Sequence, residues 1–212
     1  PHQTITTDQA EISVPAGTRS LSQSVDYISQ HVSDPFCFGR IAALHALSDI
    51  FVAGHQPLSA LTTVILQRDH EDLQANDLIP MLAGSLIELS RHQTKLVGGH
   101  TSIADYAGLG FAVTGMAAKP QAQVDPDKES GMTFDLLLTK PLGTGVILAA
   151  EMRQLCAADS YEDAITVMLQ SNFQAAQIIN QYPQAVMTDV TGFGLARHAL
   201  NLKQRVSANG VT

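Results

Sequence analysis

The chain has 212 residues, enough for one large domain or two small ones. Its 12 Lys+Arg and 20 Asp+Glu leave a net charge of −8, which argues against a partner held through a broad basic face, such as duplex nucleic acid or an anionic membrane. With 45% hydrophobic and only 15% charged residues, it is not intrinsically disordered, and some of its surface should be hidden in a core or against another subunit.

Residues 1–30 read as a β-hairpin. Ile12-Ser13-Val14 leads into the turn cluster Pro15-Ala16-Gly17-Thr18, and an extended pattern resumes from Leu21 to Tyr27. Asp34-Pro35 starts a helix with apolar residues at Ile41, Leu44, Leu47 and Phe51. Ser59 to Leu66 is a β-rich run. Leu73 to Arg91 is an amphipathic helix with Leu78, Met81, Leu82, Leu86 and Leu89 on one face. Lys95-Leu96-Val97 leads to Gly98-Gly99-His100-Thr101, and Leu109 to Met116 is another strand. No apolar run approaches the roughly 18 residues of a membrane span.

From Ala117 to Met132 the composition turns polar, marking a surface linker and a domain boundary. Beyond it the spacing predicts a strand at Phe134 to Thr139 and a helix from Val146 to Leu155, opened by Gly143 and Gly145. A second helix follows over residues 161–181, with Ala164, Val167, Met168 and Ala175 to Ile179 inward. A strand at Ala185-Val186-Met187 then enters Thr188-Asp189-Val190-Thr191-Gly192-Phe193-Gly194, and Leu195 to Leu202 is helical. Both parts alternate strand and helix, so the fold class is α/β, of the α+β kind.

Asp26, Asp49 and Asp189 fall where strands or helices end. Asp8, beside Thr7, is a fourth candidate. Such carboxylates either gather Mg²⁺, which prefers oxygen ligands, or act singly as caps and turn residues. Gly98-Gly99-His100-Thr101 and Gly143-Thr144-Gly145 are either backbone nests for phosphate or plain turns. No P-loop, HExxH or GxSxG occurs in these 212 residues. Cys37 and Cys156 lack metal or redox spacing. Cys37, in an apolar setting, reads as an inert thiol, and reduced thiols suit a cytoplasmic protein.

Several segments resemble selenophosphate synthetase (selenide, water dikinase), in the family's order. They are Ser24-Val25-Asp26-Tyr27, Asp34-Pro35-Phe36-x-Phe38-Gly39-Arg40-Ile41-Ala42-Ala43, Ala46-Leu47-Ser48-Asp49-Ile50-Phe51 and Val97-Gly98-Gly99-His100-Thr101. Further along come Gly110-Phe111-Ala112-Val113-Thr114-Gly115, Leu138-Thr139-Lys140-Pro141-Leu142-Gly143-Thr144-Gly145 and Met187-Thr188-Asp189-Val190-Thr191-Gly192-Phe193-Gly194, the most specific of the set.

The resemblance implies the PurM-like fold of aminoimidazole ribonucleotide synthetase. Residues 1–118 would form the N-terminal ATP-binding domain, which pairs with its twin through β-sheets into a homodimer. Residues 119–212 would begin a truncated C-terminal α/β domain. Also implied are Mg²⁺ and the conversion of ATP, selenide and water to selenophosphate, AMP and phosphate. Asp8, Asp49 and Asp189 match the family's metal aspartates; Asp26, Asp49, Gly99, His100 and Thr101 match its ATP contacts. The reactive Cys/Lys segment would lie upstream of Pro1, so the chain reads as a fragment, inactive alone.

The sequence departs from the family at three places. Gln9 takes the first metal position if the following hairpin has the shorter spacing, and Asp8 takes it with the longer. His45 stands where the family has Asn, and Ala196-Arg197-His198 where it has Leu-Gly-His. The expected parent is a divergent member, in some relatives fused behind a pyridine nucleotide-disulfide oxidoreductase. A catalytically weakened nucleotide-binding and dimerisation module is the alternative. A sister enzyme acting on a purine or thiamin precursor is disfavoured by the Thr188–Gly194 and Asp34–Arg40 stretches.

Overall fold

Asp34 and Pro35 set the start of the helix on which the rest of the fold is built. In the computed structural model, which describes residues 9–12, 20–117, 135–182 and 185–208, the Asp34 carboxylate accepts from the Cys37 N–H at 2.6 Å. Pro35 occupies the first turn, where its missing N–H costs nothing. The resulting helix α1 (Pro35–Val52) is buried on nearly every side, not along one stripe: Phe38, Ile41, Ala43, Leu47, Ile50 and Phe51 are all in the core. A helix apolar all round belongs between layers. By length and composition alone α1 could cross a membrane, contrary to the sequence expectation, yet its apolar side chains are in the protein core.

The sheet lying under α1 has five strands in the order β1-β2-β5-β3-β4. Strands β1 (Gln9–Ile12) and β2 (Leu21–Ser29) form the expected antiparallel hairpin. Strand β2 also pairs antiparallel with β5 (Gly108–Ala117), which in turn pairs with β3 (His55–Gln67). Strands β3 and β4 (Lys95–Ala104) are parallel, so the chain crosses over between them through α2 (Glu71–Arg91). The inner face carries Ala60, Val64, Leu66, Leu109, Phe111 and Val113. Burying each large side chain there contributes about 1.5–3 kcal/mol.

Helix α2 packs on α1 at backbone contact distance. A Cβ on Gly39 would lie 1.9 Å from the Met81 carbonyl oxygen, and one on Gly84 would lie 2.1 Å from that of Phe36. The buried Glu88 ties the same pair together, accepting from Arg40 Nε at 2.6 Å and Arg91 Nη1 at 2.8 Å. Of the expected inner face of α2, Met81 and Leu89 are buried and Leu78 and Leu82 pack on the core, but Leu86 is exposed.

Several sequence expectations change here. Gly98 and Gly99 form neither a turn nor a nest; they lie within β4, where the register with β3 shifts by one residue. A Cβ on Gly99 would come within 2.3 Å of the Thr62 carbonyl oxygen, so the second glycine permits close strand approach. The helix expected over 161–181 is two helices, α4 (Ala158–Met168) and α5 (Phe173–Ile179). The break falls at Ser171, whose Oγ accepts from the Phe173 N–H at 3.1 Å. Helix α3 (Thr144–Glu151) ends before the expected Leu155, and Ile178, expected inward, is exposed.

The strands expected at 134–139 and 185–187 do not form among the described residues; 135–139 and 185–187 carry no strand pairing. Leu136, Leu137 and Leu138 are exposed, as β-forming residues are when no neighbouring strand offers a ladder. After β5 the described elements are therefore all helices, ending in α6 (Gly194–Ala208), not alternating strand and helix. This part is fastened to α1. Ala176 joins the core, Asn172 Nδ2 donates to Ser48 Oγ at 3.0 Å, and the Phe173 ring meets Phe51 at 5.1 Å.

Candidate functional site

Alternation along β2 turns Ser22, Ser24 and Asp26 toward the helices and Gln23, Val25 and Tyr27 away from them. Asp49 lies in the last turn of α1, facing β2. Its carboxylate is buried, 7% exposed, and accepts from the Ser24 hydroxyl. A carboxylate in the C-terminal turn opposes the helix dipole, and burial adds a desolvation cost. Neither cost serves the fold, so Asp49 is not a capping residue but a candidate functional one. Asp26 is likewise not a cap, since it is paired with Phe111 inside the sheet.

Asp26, His45 and Asp49 line one cavity of about 450 Å³, together with Val25, Ile28, Thr191, Gly192 and Phe193. His45 Nε2 is 3.6 Å from Asp26 Oδ1. Burial pushes the His45 imidazole below its ordinary value; the nearby Asp49 carboxylate opposes this and His31 adds to it. A neutral imidazole leaves the two carboxylates in excess, so the cavity favours a cation.

The opposite wall is Thr191, Gly192 and Phe193, at the end of the segment 188–193. Their conformation is fixed by His198 on α6, which is buried. The Thr191 N–H donates to His198 Nε2 at 3.1 Å, Thr191 Oγ1 lies 3.1 Å from the same nitrogen, and Thr188 Oγ1 lies 3.3 Å from Nδ1. Asp189 sits on this segment, half-buried, and is not among the residues lining the cavity.

Of the candidate residues, the structure brings together Asp26 and Asp49. Gly99, His100 and Thr101 lie on the exposed edge strand β4. Gly99 shares a sheet row with Asp26 through Phe111 and Thr62, three strand spacings or about 14 Å away. Asp8 lies outside the described residues, so the choice between Asp8 and Gln9 has no structural answer here. Among the described residues no three His, Cys, Asp or Glu side chains converge as a metal cage. Two hard oxygen donors in a cavity of this volume still fit Mg²⁺, which takes one or two carboxylates and completes its shell with water and phosphate.

Sequence reasoning left out Ser24, Thr191, Phe193 and His198 as site residues. The period of two along β2 carried the signal for Ser24. Cys37 fits its expected inert role, because burial and the neighbouring Asp34 raise its thiol pKa, outweighing Arg40.

Residues 7–118 match the family "AIR synthase related protein, N-terminal domain". The chain is 37% identical over 179 residues to selenide, water dikinase of Desulfitobacterium hafniense, covering 84% of this chain and 51% of that protein. It is 34% identical over 193 residues to the selenide, water dikinase of Caldanaerobacter subterraneus, covering 91% of this chain and 54% of that one. The chain thus spans about half the length of these relatives. Among solved structures, "AaThiL complexed with AMPPCP and TMP" matches with a TM-score of 0.70 at 17% identity, over 97% of this chain and 66% of that one. Thiamine-monophosphate kinase from Stenotrophomonas maltophilia matches with a TM-score of 0.64 at 16% identity, over 92% and 62%. At these identities the structural likeness speaks for a shared PurM-like fold.

Proposed function

The chain belongs to the AIR synthase related protein family, and from that membership we propose that it forms the nucleotide-binding part of a selenide, water dikinase. The observation that carries this reading is the pairing of Asp26 and Asp49 in one anionic cavity closed by Thr191-Gly192-Phe193. Relatives named selenide, water dikinase at 34–37% identity support the choice of substrate. In this reading ATP, selenide and water become selenophosphate, AMP and phosphate. Mg²⁺, when bound, neutralises and orients the triphosphate. Asp49 and Asp189, with Asp8, would hold the ion.

The protein's own contribution is placement and charge. Ser24 orients the Asp49 carboxylate, and Asp26 faces the same space. Residues 1–118 act as the nucleotide-binding and pairing unit, and 119–212 supply the closing wall. The outer sheet face supports a homodimer, since Val25 and Leu61 flank Ala112 in one row and are exposed, as is Tyr27.

The test is calorimetric titration with a non-hydrolysable ATP analogue, with and without Mg²⁺, on the wild type and Asp49→Asn. Binding that needs Mg²⁺ and is lost in Asp49→Asn is expected. Equal binding in both proteins would sink the assignment of Asp49.

One observation favours a second reading, a weakened nucleotide-binding and dimerisation module: His45 Nε2 stands 3.6 Å from Asp26 Oδ1, in space a cation or ribose would otherwise use. That reading calls for weak, metal-independent binding by a stable dimer.

A further inference from the structure

We propose that His198 is a positioning residue that holds the segment 188–193, and with it the Thr191-Gly192-Phe193 wall of the cavity, through one specific imidazole tautomer. This rests on the proposed nucleotide site for its consequence, but not for its geometry. A backbone N–H can only donate, so the Thr191 amide requires His198 Nε2 to be an acceptor. The ring proton of the neutral imidazole therefore sits on Nδ1, where Thr188 Oγ1 accepts it at 3.3 Å. Thr191 Oγ1 lies 3.1 Å from Nε2, whose single lone pair the amide already engages. One side chain thus fixes both threonines of Thr188-Asp189-Val190-Thr191 and sits beside the Phe193 ring, 6.2 Å between centroids.

The clamp has a direct consequence for the cavity. It sets the backbone that carries Asp189 and presents Gly192 and Phe193 to the cavity. His198 itself is buried and absent from the cavity lining, so it acts through Thr191 and not on a ligand.

Three measurements on the full chain test this. Nitrogen-detected NMR of the imidazoles should show His198 protonated on Nδ1 and bare on Nε2 at neutral pH; the opposite tautomer overturns the proposal. The Thr191 amide should exchange its hydrogen slowly in the wild type and faster in His198→Leu, whereas α1 amides should be unchanged; equal protection of Thr191 in both overturns it. Binding of the Mg²⁺-loaded ATP analogue should weaken roughly 10–100-fold in His198→Leu, as when a group orienting a site is removed. It should recover largely in His198→Gln, whose amide oxygen can replace the Nε2 acceptor. Unchanged binding in His198→Leu overturns the positioning role. If the wild type binds no nucleotide, the functional reading fails, and the tautomer and exchange measurements still decide the clamp.

Discussion

The hydroxyl of Ser24 on β2 donates to the buried carboxylate of Asp49 on α1, joining the second strand to the central helix at the floor of the cavity. A buried carboxylate that loses a partner retains its desolvation cost. Ser24→Ala should therefore lower unfolding stability by about 1–3 kcal/mol in urea titrations. It should also weaken Mg²⁺-dependent nucleotide binding, since the carboxylate is then free to rotate. Retained stability together with retained binding would show that Asp49 is held by other groups.

Gly39 faces the Met81 carbonyl oxygen with no room for a methyl group, a Cβ falling at 1.9 Å from it. The obstacle is helix backbone, which cannot swing aside as a side chain does. Gly39→Ala should therefore push α2 off α1, costing at least the roughly 1–3 kcal/mol of an overpacked core. Gly143 offers the control for space: nothing lies within 4 Å of a Cβ there, although its φ of +116° strains any other residue. Thermal melts of both Ala variants separate collision from backbone strain.

How much of this was legible in the sequence depends on how local each cause is. Asp34-Pro35 states the start of α1 within two residues, and alternation from Leu21 onward states β2. The turn at Ser171 was hidden, because it depends on a side chain capping Phe173 N–H and meeting His92, just past the end of α2. The strands expected at 134–139 and 185–187 had the right residue types, but a strand is a property of its neighbours. Asp26 and Asp49 were legible as candidates through motif resemblance. Their meeting, and the His198 clamp on Thr188 and Thr191, come from tertiary placement that no spacing rule contains.

Glu88 is buried between Arg40 and Arg91, and the arrangement asks what a carboxylate contributes there. Removing it leaves Arg40 partly buried without the carboxylate that accepts from its Nε, and breaking a buried pair costs about 3–5 kcal/mol. Because Arg40 and Arg91 retain some solvent contact, Glu88→Gln should fall below that range. The salt dependence discriminates the cause: the difference between wild type and Glu88→Gln should shrink only modestly at high salt, since the Glu88 end is shielded from counterions.

His92 supplies the pH dependence. Its ring lies 4.9 Å from Phe51 and 5.1 Å from Phe173, and its Nδ1 is buried without a hydrogen-bond partner. Burial pushes its pKa below the ordinary 6.5; Glu88 opposes this and Arg91 adds to it. The folded state therefore binds the proton less readily than the unfolded chain. Stability from this group is complete above pH 6.5 and declines as the pH falls toward the depressed folded value. His45 is depressed by burial too and adds to the same slope. His92→Phe keeps an aromatic ring between Phe51 and Phe173 but cannot protonate. Melting temperatures from pH 7.5 down to 5 should fall less steeply in this variant than in the wild type. Parallel curves would mean that His92 charges as easily in the folded protein as in the unfolded chain, and the acid sensitivity would then belong to His45.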